Sequence, residues 1–148
     1  MKIFILISAA LLISLGPKAQ SPVSWNYSVK KVADNTFEVK MTATIQSGWH
    51  LYSQNQPEDA IALPTEIKFN GNPLLSFKDK VKELGKLEKY EDKTLGVEAW
   101  QYSGKVEFVQ TVKLKANAKT SITGSIEFQA CTDEKCLPPK EVKFNLSI

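Results

Sequence analysis

TFEVKMTATI, residues Thr36–Ile45, alternates apolar and polar side chains without a slip: Phe37, Val39, Met41, Ala43 and Ile45 share one face. A period of two marks a strand with one face against a core. KVEFVQTVKL, Lys105–Leu114, repeats the pattern with Val106, Phe108, Gln110, Val112 and Leu114 on one face. Ser121–Ala130 (SITGSIEFQA), Glu141–Ile148 (EVKFNLSI) and Trp25–Val29 alternate as well. Trp49–Ser53 (WHLYS) reads as a short aromatic strand and Pro64–Phe69 as another. Turn formers separate these runs: Ala33-Asp34-Asn35, Ser47-Gly48 and Asn70-Gly71-Asn72-Pro73. Gln54–Ile61 is polar, contains Pro57 and reads as a loop. Seven or eight strands at this spacing predict an all-β, immunoglobulin-like antiparallel β-sandwich, with a barrel as the competing architecture.

Phe77–Gln101 fits least well. It is rich in Lys and Glu, and Gly85 and Gly96 break any helical period. It is expected to be a long excursion holding short strands and an exposed loop, either a solvated connection or a functional loop.

The N-terminus has a different character. Met1-Lys2 is followed by the apolar run Ile3–Leu15, a Gly16-Pro17 break and small Ala19, the plan of a secretory signal peptide. The run is short for a span, which takes ~20 apolar residues. Residues 1–19 are therefore expected to be a leader, 20–148 a single soluble domain, and the compartment periplasmic. Without Lys2 and Lys18, 17 basic side chains face 16 acidic ones, and every basic residue is lysine. A near-neutral surface lacking the bidentate arginine fork argues against nucleic-acid or phosphate binding.

The chemistry concentrates in Phe128–Pro139, FQACTDEKCLPP. A strand ends at Cys131, four polar residues turn, and Cys136 opens the next segment. Such a turn can bring two Cβ atoms within the ~3.5–4.5 Å a disulfide needs. Two cysteines in an exported chain most simply make one bridge. A staple over so short a loop stabilises by about 2 kcal/mol, roughly half of what a bridge between distant strands gives. A short bridge in a turn is better placed for attack by a visiting thiolate. Redox exchange, a non-catalytic immunoglobulin-like binding module with the bridge as a minor structural staple, and metal carriage through Cys131, Cys136 and His50 all remain open. The last lacks ligands for a tetrahedral site, so no metal or cofactor is expected. Asp133 and Glu134 place negative charge beside the thiols and disfavour thiolate, while Lys135 acts in the opposite sense. Thr132 reads as a turn former. His50 and Tyr52, two apart, share one strand face; the histidine could tune a thiol or pass protons, or simply belong to an aromatic-rich strand.

Taken together, Cys131-Thr-Asp-Glu-Lys-Cys136-Leu-Pro-Pro139, the preceding Ser125–Ala130, and Gly48-Trp49-His50-Leu51-Tyr52 resemble the N-terminal periplasmic domain of the disulfide-interchange reductase DsbD. The resemblance runs from about Trp25 to the C-terminus. It implies an immunoglobulin-like fold and a protein-disulfide reductase type of activity. Its cysteine pair would take electrons from a thioredoxin-like protein or domain and pass them to periplasmic partners, among them disulfide isomerases and cytochrome-maturation thioredoxins. By position, Cys136 would form the mixed disulfide and Cys131 would resolve it, with His50 and Tyr52 as neighbours. A cap loop would lie within Tyr90–Gly96. There the chain departs from the family's aromatic cap: Thr94 and Leu95 are best placed, Leu95 as apolar cover, with Asp92 as acidic neighbour and Tyr90 as another route to an aromatic wall. The reductase's membrane electron carrier and thioredoxin-like domain are not in this sequence, so the reductant is expected from a separate protein.

Overall fold

The computed structural model describes residues 20–92 and 96–148; the expected leader at 1–19 lies outside them. Among the described residues eleven strands form, in chain order β1 (Val23–Ala33), β2 (Thr36–Ile45), β3 (His50–Tyr52), β4 (Glu66–Phe69), β5 (Leu75–Gly85), β6 (Glu88–Asp92), β7 (Val97–Ser103), β8 (Lys105–Leu114), β9 (Ser121–Phe128), β10 (Ala130–Cys131) and β11 (Lys140–Ser147). All pairings are antiparallel and fall into three sheets, ordered β1-β2-β8-β5, β10-β3-β7-β6 and β11-β9-β4. Each sheet ends in free edges, so the fold is a sandwich rather than a closed barrel.

The alternating faces meet in the core. On β2, Val39, Met41 and Ala43 are fully buried, as are Val106, Phe108 and Val112 on β8 and Ile122 and Ile126 on β9. Burying such side chains contributes about 1.5–3 kcal/mol apiece, which is why this face fixes the register. Aromatic rings knit the layers: Trp25 of β1 meets Phe108 and, edge-on, Phe128, while Phe69 of β4 meets Phe77 of β5 and Phe144 of β11. The second sheet joins the same core through Leu51, Tyr102 and Ala130. Gly124 is required where β9 is crowded from both sides. A Cβ there would collide with the Lys68 carbonyl and come within 2.6 Å of the Phe144 ring.

The Phe77–Gln101 segment is more regular than its composition suggests. Most of it forms β5, β6 and β7, with Lys86 and Leu87 joining β5 to β6, and residues 93–95 of the expected loop lie outside the described residues. Asp79, at φ 59°, marks a bulge that shifts the β5 register between Lys78 and Lys82. Four residues of β5 there span two of β8, so the inward face keeps its parity, Leu75 and Phe77 before the bulge and Val81 and Glu83 after it, and the charged Asp79-Lys80 step hides the period. Gln110, buried on the core face of β8, donates to the Lys78 carbonyl at 2.6 Å there and so satisfies a group the bulge frees.

Candidate functional site

The registers of β10, β3, β7 and β6 place one row of side chains on the outer face of their sheet. Cys131 opposes His50, which opposes Ser103; Tyr52 opposes Gln101, which opposes Glu88; Ala99 opposes Tyr90. Residues directly opposite on antiparallel strands point to the same side. The intervening residues Ala130, Leu51 and Tyr102 point inward and are buried in the core. The outer face of a thin sheet therefore collects the cysteine, the histidine and two tyrosines.

Strand β10 ends at Cys131, and the chain turns through Thr132–Lys135 before Cys136 returns as a bridge partner of Cys131. The turn is held by the Thr132 amide donating to the Lys135 carbonyl (2.7 Å) and the Leu137 amide to the Ala130 carbonyl (2.9 Å). The Thr132 hydroxyl accepts from the amides of Glu134 (3.2 Å) and Lys135 (3.1 Å), a side chain–backbone turn. The two sulfurs are bonded, with Cα atoms 4.0 Å apart. Their surroundings differ sharply: Cys131 is 0% exposed, whereas Cys136 is solvent-exposed.

Two hollows meet at Cys136. A polar cavity of ≈ 320 Å³ is lined by His50, Gln101 and the turn residues Thr132–Lys135. A cleft of ≈ 200 Å³ is lined by Ile61, Ala62, Val97 and Ala99. Tyr52, Tyr90 and Cys136 line both. The His50 ring meets the Tyr52 ring edge-on at 5.3 Å between centroids. Burial lowers the imidazole below its usual 6.5; Asp133 and Glu88 pull the other way without prevailing. Burial raises the Tyr52 phenol, and Tyr90 adds to this. Both phenol and imidazole are thus held neutral near neutral pH. Asp133 and Glu134 are exposed on the cavity rim, and the Lys135 ammonium sits 5.9 Å from the centroid of the Trp49 ring.

Behind β3, the Glu83 carboxylate accepts from Ser53 Oγ (2.6 Å), Tyr102 Oη (2.8 Å) and the Gln54 amide (2.6 Å). Gln56 bridges the same corner to β7, donating to the Trp100 carbonyl at 2.6 Å and accepting from its amide at 3.0 Å. These bonds fix the strand that carries His50 and Tyr52.

The sequence-predicted residues Cys131, Cys136, His50, Tyr52, Asp133 and Glu134 come together in this way. Of the expected cap, Tyr90 lies on β6, 53% exposed beside the cystine, and Gly96 turns at φ 66° into β7. Asp92 ends β6, while Thr94 and Leu95 lie outside the described residues. Metal carriage through both cysteines meets an obstacle in the bonded state, because each sulfur is already occupied by the other. Missed from sequence were Gln101 and Glu88, and above all the apolar wall of Ile61, Ala62, Val97 and Ala99. Its one legible signal was Ile61-Ala62-Leu63, an apolar triplet in a loop, with Ile61 79% exposed.

The fold and its neighbours agree. The N-terminal periplasmic domain of ScsB from Proteus mirabilis superposes with a TM-score of 0.61 at 14% identity, over 89% of this chain and 49% of that one. The chain thus spans about half the length of that structure. The DsbD n-terminal domain of Neisseria meningitidis in the reduced form gives 0.51 at 21% identity, over 84% and 85% of the two chains. A complex between the DsbD N-terminal and PilB N-terminal domains from Neisseria meningitidis gives 0.47 at 19% identity, over 90% and 87%. No curated protein sequence matches the chain. Residues 19–148 match the family described as thiol:disulfide interchange protein DsbD, N-terminal, so a chain whose cystine lies half sunk in the outer face of a sandwich belongs to that family.

Proposed function

We propose that this domain is a periplasmic thiol–disulfide exchange protein, passing reducing equivalents from a thioredoxin-like donor to protein disulfides through Cys131 and Cys136. The observation that carries this is the unequal exposure of one bond: Cys136 is open to solvent at the meeting of two hollows, and Cys131 is sealed. An incoming thiolate can reach only the Cys136 sulfur. Its attack forms a partner–Cys136 disulfide and breaks the Cys131–Cys136 bond, and the electron pair leaves on the Cys131 sulfur. A second thiol of the donor then displaces Cys136, leaving the donor oxidised and the pair reduced. The steps run in reverse toward an oxidised substrate: Cys136 attacks it, and Cys131 resolves the mixed disulfide.

An inert staple is a weaker account of the same bond. The turn already has its backbone and threonine hydrogen bonds, so the bridge adds little to stability. Asp133 and Glu134 on the rim disfavour a free thiolate at Cys136, which favours exchange with a docked partner over reaction with small thiols. Tyr52 and Tyr90 supply the walls against which a partner's cysteine is held, and the cap expected over Tyr90–Gly96 would act from the β6–β7 side. Export to the periplasm, supply of electrons by a separate membrane carrier and delivery to cytochrome-maturation thioredoxins complete the proposal.

The test is a trap. The Cys131→Ser variant, incubated with an oxidised thioredoxin-like protein, is expected to accumulate a mixed disulfide through Cys136, and Cys136→Ser is expected to give none. A wild-type reduction potential below about −300 mV, the range of structural bridges, together with an empty trap, would overturn the proposal.

A further inference from the structure

Cys131 has one titratable neighbour built into its own ladder. His50 opposes it directly across the β10–β3 pair, and side chains at such positions have Cβ atoms about 4.5–5.5 Å apart on the same face. Both are buried, Cys131 at 0% and His50 at 7% exposure, so the sulfur that must gain and lose a proton has little water to exchange it with. The imidazole, by contrast, also lines the solvent-connected polar cavity. It therefore stands between the sealed sulfur and bulk water.

We propose that His50 is the proton-transfer partner of the Cys131 sulfur. The inference rests on the exchange reading for its biological meaning, but the chemistry is that of the cysteine pair itself. When a partner is held on Cys136, neutral His50 takes the proton of the Cys131 thiol. The resulting thiolate attacks the Cys136 sulfur, the Cys131–Cys136 bond forms, and the partner leaves as thiolate with the electron pair of the broken bond. In the opposite direction the Cys131 thiolate released by an incoming thiol is protonated by the imidazolium, which is refilled from the cavity. The titratable and charged groups around the imidazole are Tyr52 on its own strand, Cys131 on β10, Glu88 and Tyr90 on β6, and Asp133, Glu134, Lys135 and Cys136 in and after the turn. Burial outweighs the two carboxylates that act on the ring and lowers its proton affinity, which leaves it in the base form the resolving step needs.

Two thiol steps can be timed separately on the full chain. Reduced protein is mixed with dithiobis(nitrobenzoate). Attack by Cys136 releases the first thionitrobenzoate, and resolution by Cys131 releases the second. In His50→Gln the second release is expected to slow about a hundredfold, with the first within about twofold. The pH profile distinguishes a proton role from packing. The wild-type second step levels off once His50 is neutral, whereas in His50→Gln it keeps rising toward the ordinary thiol value of ~8.5. His50→Phe, which retains a ring of similar shape, must behave as His50→Gln does. The inference is overturned if the second step keeps its rate and profile in His50→Gln, or if His50→Phe restores both. Should the dependence of the second step on His50 hold while the Cys131→Ser trap stays empty and the wild-type potential lies below about −300 mV, the exchange reading falls and the proton role stands.

Discussion

Cys131 and Cys136 are bonded to each other yet occupy different media, one inside the protein and one at its surface, and the residues around them serve that difference. His50 is the clearest case, because its environment also predicts a stability signature. Burial depresses its folded-state pKa below the unfolded 6.5, so the unfolded chain binds its proton first. The neutral ring's contribution is fully present above 6.5 and is lost as pH falls from there through the folded value. Chemical denaturation at a series of pH values is expected to show wild-type stability declining below about pH 6.5, with the decline reduced in His50→Gln. Identical slopes in the two proteins would refute the assignment. At this scale much was legible. The cysteine spacing and the two-residue interval of His50 and Tyr52 each follow from local geometry. Ile61, Val97 and Ala99 were not, because their approach to Cys136 depends on how a loop and an edge hairpin fold back, which no local period encodes.

Among the elements, β3 is a short strand that carries two residues of the site, three residues long between β10 and β7. It is positioned from behind by Glu83, whose carboxylate gathers three donors from Ser53, Gln54 and Tyr102. Glu83→Ala leaves those donors without their acceptor and is expected to destabilise the domain by about 1–3 kcal/mol. Hydrogen exchange should accelerate first in the β3 amides, and a uniform acceleration across β2 and β8 would count against this placement. The same residue explains why β5 was hard to read. A glutamate on an inward-facing position looks like surface in the sequence, and the charged Asp79-Lys80 step of the bulge breaks the apolar pattern just before it. β2, β8, β9 and β11 carry no such interruption, and their limits were legible to within one or two residues.

At the level of the whole molecule, most of the core is built by the β2, β8 and β9 faces, and the second sheet adds Leu51, Tyr102 and Ala130. Folding should therefore depend little on the bond. The Cys131→Ala/Cys136→Ala double variant is expected to keep the wild-type fold and to lose no more than about 2 kcal/mol, the loop-closure value for so short a ring. Failure to fold would mark the bridge as structural. The Thr132 turn carries a wider consequence. Because its hydroxyl and backbone bonds do not involve the sulfurs, the exchange proposed above should present a visitor with nearly the same contour before and after the bond opens. Affinity then cannot tell arrival from departure, and the sense of traffic through the domain is left to the relative potentials of whichever two proteins it meets.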